Sequence, residues 1–228
     1  MNKLKLILSL LLLTVITIEL SYAQDWANLN RFAKENSSLD IPKHGEERIV
    51  FMGNSITIGW KNDSSGFFSN TSYVNRGISG QTTPQMLIRF RQDVINLKPA
   101  VVVILAGTND IAGNTGPSNL EMIADNIFSM AEIAKANNIK VVLSSVLPVF
   151  DYPWKPGLKP AEKIVGLNKI LKDYALKNNC VYLDYFSAMV DERNGLKASL
   201  GDDGVHPNKY GYKIMEPLAK EAIAKSLK

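Results

Sequence analysis

The sequence is poor in cysteine and histidine, with a single cysteine, Cys180, and two histidines, His44 and His206, among 228 residues. One cysteine excludes an intramolecular disulfide, so the packing of a hydrophobic core must supply the stability. Cys180 stands at the start of an apolar segment that resembles a buried strand. This setting predicts a small core residue rather than a reactive thiol.

Strong charge and low-complexity segments are also absent. The formal net charge is +4, and no run of five or more lysines and arginines could follow a phosphate backbone, which disfavours nucleic acid as a partner. No repeat or linker divides the chain, and 46% of its residues are hydrophobic. These features predict one globular domain with a substantial core.

One long apolar run occurs, over residues 6–18, after Lys3 and Lys5 and ahead of small residues at 21–23. This order is typical of a secretory signal, which we place at 1–23. Thirteen helical residues would cover roughly 20 Å, less than the ~30 Å of a bilayer core, although a retained anchor stays an alternative.

The expected mature chain is a single domain over residues 24–228. Lipid attachment at its start would need a cysteine, and Gln24 stands there instead. We expect a product without stable membrane insertion after signal removal, located in the periplasm or outside the cell. The sequence supports no prediction of an oligomeric state.

After Gln24, short β-branched runs alternate with longer segments of helical periodicity, which predicts an α/β fold with a doubly wound, five-stranded parallel sheet. The predicted strands are 48–53, 72–77, 101–107, 139–146 and 180–185. The predicted helices are 25–36, 83–97, 118–137, 160–178 and 208–226.

Three predicted strands end in glycine and small polar residues, at 53–55, 77–80 and 107–110. Each segment alone is typical of an ordinary turn, because glycine allows positive φ and serine, threonine or asparagine caps helices. Ligands of doubly wound sheets bind beyond the carboxyl ends of the strands, so three such segments together predict a site there.

A nucleophile and a base can be chosen among the few available residues. Ser55 follows the first strand, and imidazole is the usual base for a serine hydroxyl. His206 precedes the last helix, on the expected side, whereas His44 precedes the first strand and is interpreted as a surface residue. Asp203 could fold back across Gly204 to orient His206.

A capping aspartate with an exposed histidine stays an alternative interpretation of this loop, and a metal site is a weaker one. Asp202, Asp203 and His206 lack the second histidine or cysteine of a usual transition-metal site, so no metal is predicted. The candidate donors for an oxyanion are the N–H of Ser55, the N–H of Gly80 and the carboxamide of Asn109. Thr57 replaces the second glycine of the G-x-S-x-G elbow, so the α/β-hydrolase architecture is excluded.

The segments "GNSIT", "GISGQTT", "GTND" and "DGVHPN", in this order, resemble the four blocks of the SGNH (GDSL-type) hydrolases. The resemblance implies a three-layer α/β/α sandwich with a flavodoxin-like sheet, and ester hydrolysis without a cofactor. It implies Ser55, His206 and Asp203 as catalytic triad, and Ser55, Gly80 and Asn109 as oxyanion hole. Asn54 stands where many members have aspartate, which leaves the subgroup open; we keep Asn54 as a candidate substrate-binding residue.

The irregular segment 147–160 carries Phe150, Tyr152 and Trp154 between prolines. A stiff loop could leave these rings partly exposed, where they could stack on a sugar, so Tyr152 and Trp154 are further substrate-binding candidates. Equally, the rings could fasten the loop to the core. Trp60 is interpreted as a core residue.

Three functions are compatible with these features. The leading hypothesis is an exported serine esterase that removes small acyl groups, most simply acetyl, from a small molecule or a glycan. It is similar to bacterial carbohydrate acetylesterases and to platelet-activating-factor-acetylhydrolase-like members of the superfamily. The alternatives are a lysophospholipase or thioesterase for longer chains, and a catalytically inactive glycan-binding protein.

Overall fold

The computed structural model describes residues 25–63 and 66–228. The signal segment predicted at 1–23 lies outside the described residues. Within them, five parallel strands form a sheet of order β2-β1-β3-β4-β5. The strands are β1 Ile49–Gly53, β2 Tyr73–Gly77, β3 Val101–Ile104, β4 Lys140–Ser144 and β5 Val181–Leu183.

Both faces of the sheet are covered, which explains why its strands are almost continuously apolar. Alternate residues of one strand point to opposite faces. Val50 and Met52 of β1 therefore belong to one buried cluster, and Ile49 and Phe51 belong to the other.

Helices form the two outer layers. The α-helices are α1 Ala33–Ser37, α2 Ser55–Asn62, α3 Thr83–Asp93, α4 Thr108–Ile111, α5 Leu120–Ala136, α6 Ala161–Lys177, α7 Tyr185–Met189 and α8 Lys209–Ser226. The buried hydrophobic residues of α3, α5 and α6 share the cluster of Val50, while those of α2, α7 and α8 share the cluster of Phe51. This arrangement is the predicted three-layer α/β/α sandwich, and the strand order is the flavodoxin-like one.

The predicted helix over 25–36 is wrong for most of its length, because only Ala33–Ser37 is helical. The carboxylate of Asp25 accepts hydrogen bonds from the backbone N–H groups of Leu29 and Asn30, at 2.7 and 3.0 Å. Asn28 has a φ of 58°. A side chain that captures backbone donors in this way competes with helix formation.

Other differences concern element ends and short elements. The third strand ends at Ile104 instead of 107, and the helix predicted over 83–97 ends at Asp93, followed by a 3₁₀ turn, Ile95–Leu97. The short helices α4 and α7 have too few residues for a periodic pattern. Of the helices in the described ranges, none combines the length and apolarity needed to cross a membrane.

Candidate active site

The site lies at the carboxyl ends of β1, β2 and β3, where the chain turns toward opposite faces of the sheet. Ser55 is the first residue of α2, and Asn54 caps this helix through its Oδ1, which accepts the N–H of Ile56 at 3.2 Å. Gly53 and Gly77 leave no room for a Cβ, which would collide with Thr57 and Ile58. The two strand ends can therefore approach the start of α2 closely.

His206 joins Ser55 to Asp203. Its Nε2 lies 2.9 Å from Ser55 Oγ, across 151 positions of sequence, and its Nδ1 lies 2.7 Å from Asp203 Oδ2. Asp203 Oδ1 also accepts the backbone N–H groups of Val205 and His206, at 2.9 and 2.7 Å. Partial burial opposes ionisation of Asp203, but these hydrogen bonds outweigh it and hold its pKa below the ordinary value. Gly204, with φ 76°, makes the turn.

Contacts between α8 and α2 set the distance between imidazole and hydroxyl. Asn208 caps α8 by accepting the N–H groups of Tyr210 and Gly211, at 3.0 and 3.2 Å. One turn further along α8, the hydroxyl of Tyr212 donates to the carbonyl of Ile56 in α2 at 2.9 Å. The helix after the histidine is thus bonded directly to the helix that begins at the serine.

Gly80 and Asn109 lie on the loops after β2 and β3. Gly80 has a φ of 75°, a conformation that favours glycine. The side chain of Asn109 is buried, and its Nδ2 donates to the carbonyl of Gln81 at 2.9 Å. Among the described residues, no acceptor contacts the backbone N–H of Ser55 or of Gly80.

Asp110 and Thr82 connect these two loops. Asp110 Oδ1 accepts the N–H and the hydroxyl of Thr83, at 2.9 and 2.6 Å. Burial raises the pKa of Asp110 to about 6, although the hydrogen bonds from Thr83 oppose this change. The hydroxyls of Thr82 and Thr115 lie 2.9 Å apart. The loops that carry Gly80 and Asn109 therefore form one bonded unit.

Two of the three predicted substrate-binding residues are buried and have almost no surface that a substrate could contact. The expected exposure of Tyr152 is wrong: its ring is 0% exposed, and its hydroxyl donates to the carbonyl of Thr108 at 2.8 Å. This contact supports the alternative in which the ring fastens the loop to the core. Asn54 is 1% exposed and serves as the cap of α2.

Trp154 is 48% exposed, and its ring centroid lies 6.2 Å from that of His206 and 5.1 Å from that of Tyr152. Phe150 is equally open but packs beneath the guanidinium of Arg193, at 4.9 Å. An exposed aromatic face therefore lies beside the imidazole.

The interpretations of His44 as a surface residue and of Trp60 as a core residue are confirmed. His44 is exposed ahead of β1, at the amino end of the sheet, and Trp60 is buried against Phe67 and Tyr212. Cys180 is half-buried, and this burial raises the pKa of its thiol.

Three residues that support the site through hydrogen bonds were assigned no role from the sequence. Gln81 and Asp110 stood inside the quoted blocks "GISGQTT" and "GTND", and Tyr212 followed the block "DGVHPN". A polar side chain inside such a block is the only signal that could have singled them out.

A doubly wound sheet with serine, imidazole and carboxylate in line at its carboxyl edge has the architecture of the SGNH hydrolases, as the four sequence blocks predicted. The sequence pattern of the GDSL-like lipase/acylhydrolase family matches residues 51–214. The chain belongs to this family.

Solved structures of similar sequence share the fold. A proposed acylhydrolase from Bacteroides fragilis is 50% identical, with a TM-score of 0.88 over 90% of this chain and 100% of that one. A GDSL-like lipase from Bacteroides thetaiotaomicron is 51% identical, with a TM-score of 0.86 over 88% of this chain and 99% of that one.

Curated relatives match over parts of their length. An acetylxylan esterase from Xylanibacter ruminicola is 26% identical in an alignment 223 residues long, gaps included, which covers 82% of this chain and 45% of that protein. Esterase TesA from Pseudomonas aeruginosa is 30% identical over 135 residues, 59% of this chain and 60% of that protein. The chain spans about a third to three fifths of the length of the curated relatives that it matches.

Proposed function

We propose that the protein is an exported serine esterase that removes small acyl groups, most simply acetyl, from carbohydrate esters. The observation that carries this proposal is the 2.9 Å contact between His206 Nε2 and Ser55 Oγ, with Asp203 on the other ring nitrogen. A hydroxyl, a base and an orienting carboxylate in line are what nucleophilic acyl transfer requires.

In the proposed reaction, Ser55 Oγ attacks the ester carbonyl carbon while its proton passes to His206 Nε2. The carbonyl oxygen becomes an oxyanion, which the N–H groups of Ser55 and Gly80 and the carboxamide of Asn109 receive. Collapse breaks the bond to the alcohol, which takes the proton from Nε2 and leaves an acyl-serine. Water then attacks the acyl carbon while its proton passes to the same Nε2. Cleavage of the bond between the acyl carbon and Oγ releases the acid, and the proton returns from Nε2 to Ser55 Oγ.

The carbohydrate assignment rests on Trp154 and on the relatives. An exposed indole beside the imidazole offers a flat apolar face to the alcohol side of the ester, where a sugar ring can stack. The acetylxylan esterase relative acts, by its name, on an acetylated polysaccharide. Export is proposed from the charged and apolar pattern of residues 1–23.

The first experiment compares Ser55→Ala with Ser38→Ala, an exposed serine of the turn after α1. We expect Ser55→Ala to abolish hydrolysis of p-nitrophenyl acetate without lowering Tm, and Ser38→Ala to keep the full rate. A wild-type protein without hydrolysis, or a Ser55→Ala variant with the full rate, contradicts the proposal. Faster hydrolysis of p-nitrophenyl octanoate than of p-nitrophenyl acetate supports the alternative of a lysophospholipase or thioesterase for longer acyl chains.

The second experiment tests the sugar platform with Trp154→Ala and, as matched control, Phe150→Ala. We expect Trp154→Ala to raise KM for acetylated xylan several-fold and to leave KM for p-nitrophenyl acetate unchanged, because the small ester lacks a sugar. Phe150→Ala should change neither. Equal losses on both substrates in Trp154→Ala would mean that the indole supports His206 instead of binding sugar.

A further inference from the structure

Gln81 lies between the sheet and the proposed oxyanion hole, and all of its polar side-chain atoms are bonded. The side chain is buried, with Oε1 accepting Arg89 Nε at 2.5 Å and Nε2 donating to the carbonyl of Ala27 at 2.8 Å. Its backbone carbonyl accepts Nδ2 of Asn109 at 2.9 Å. One residue therefore connects a buried cation, the segment before α1 and the carboxamide of Asn109.

Arg89 fixes the side chain of Gln81 relative to the strands. Its guanidinium is fully buried, and Nη2 donates to the carbonyls of Gly53 and Arg76, at 3.0 and 2.9 Å, at the ends of β1 and β2. Nη1 pairs with Asp93 at 3.0 Å. Because β1 leads directly into Ser55, Arg89 holds Gln81 against the same strand end that places the nucleophile.

The segment before α1 holds Gln81 from the other side. Two other glutamines bond to this segment in the same way: Gln85 Nε2 donates to the carbonyl of Trp26 and Gln92 Nε2 to that of Leu29, both at 2.6 Å. Gln81 differs from these two because it alone also contacts Arg89 and Asn109. Gln92 is therefore a matched control for the loss of a contact to this segment.

We propose that Gln81 is a positioning residue for Asn109. The Arg89 and Ala27 contacts hold the Gln81 peptide in place, and its carbonyl accepts one of the two hydrogens of the Asn109 amide. Because a carboxamide nitrogen carries two hydrogens, the second stays available for the oxyanion. This inference rests on the proposed function.

A double-mutant cycle tests the inference with Gln81→Met, Asn109→Ala and the double variant, assayed on p-nitrophenyl acetate. Asn109→Ala should lower kcat by ~10²- to 10³-fold, as for the loss of one oxyanion donor. Gln81→Met should lower kcat by about tenfold, with KM within about twofold, because a displaced donor acts mainly on the transition state. Gln92→Met should keep the wild-type kcat.

The decisive quantity is the effect of Gln81→Met in the Asn109→Ala background. If Gln81 acts through Asn109, this effect shrinks to less than about twofold. An equal loss of kcat in both backgrounds, or no loss in either, overturns the inference. If Gln81→Met does not fold, as judged by circular dichroism, Gln81→Glu takes its place, because glutamate keeps an acceptor for Arg89 and loses the donor to Ala27.

Failure of the inference can be told apart from failure of the proposed function. If Ser55→Ala and Asn109→Ala leave kcat unchanged, the proposed active site is wrong. If both variants lose activity while Gln81→Met does not, only the role of Gln81 is wrong.

Discussion

The ionisation of Asp110 should make the free energy of unfolding depend on pH, which can be tested without any assay of activity. Its carboxylate is buried between the loops after β2 and β3, and burial raises its pKa to about 6, from an ordinary value of 3.8. The raised value lies about two pH units above the ordinary one, and each pH unit corresponds to about 1.36 kcal/mol. Ionising Asp110 in the folded protein therefore costs about 3 kcal/mol of stability.

The sign of the pH dependence follows from proton binding. Between pH 4 and pH 6 the folded protein keeps the Asp110 proton and the unfolded chain has lost it, so the free energy of unfolding falls as pH rises. Asp110→Asn carries no titrating proton, while its Oδ1 still accepts from Thr83. We expect the wild type to lose about 2 kcal/mol relative to Asp110→Asn between these pH values, because at pH 4 the unfolded chain is already partly ionised and at pH 6 the folded protein is only half ionised.

Urea unfolding at pH 4 to 7.5, followed by circular dichroism, measures this difference. The carboxyl groups of Asp25, Asp151, Asp191 and Asp203 have lowered pKa values, which stabilise the folded state as pH rises through the acid range. These groups are present in both proteins and cancel in the difference. A difference in stability that is the same at pH 4 and pH 6.5 would refute the reasoning.

Two further substitutions test the packing around the site. Gly59→Ala should lower Tm, instead of adding the ~1 kcal/mol usual for this change in a helix, because the new Cβ would lie 2.6 Å from the hydroxyl of Tyr212. In the Tyr212→Phe background, which lacks this hydroxyl, Gly59→Ala should no longer lower Tm, and a higher Tm for Gly59→Ala in the wild type would contradict the clash. Arg89→Met should destabilise the fold by about 3 to 5 kcal/mol in urea, because it leaves the buried carboxylate of Asp93 without its cation; a loss below about 1 kcal/mol would show that the pair contributes little.

Local patterns in the sequence predicted much of the fold. Each strand was found within a few residues, because a strand buried on both faces is continuously apolar over a short stretch. The long helices α5, α6 and α8 have enough turns to show their periodicity. The segment before α1 was mispredicted because the capture of backbone donors by Asp25 outweighs a helical pattern, and this competition depends on geometry.

The candidate site residues were likewise chosen from local chemistry. Ser55, Gly80 and Asn109 each follow a predicted strand, and His206 stands three residues after Asp203. The order of the sheet came from the likeness of the four blocks to a known superfamily, since no local pattern determines which strands pair. The sequence left open whether Tyr152 is exposed or fastened to the core for the same reason, because the answer depends on a contact with Thr108, 44 positions away.

The sequence by itself determined the kinds of elements and the chemical groups at their ends, since both depend on residues within a few positions of one another. Only the tertiary structure decided which of these groups meet. The contact between Ser55 and His206 spans 151 positions and exists because the sheet, the cap of α8 and the bond from Tyr212 to α2 bring two distant loops together. Such contacts arise from the packing of the whole core, which no short segment encodes.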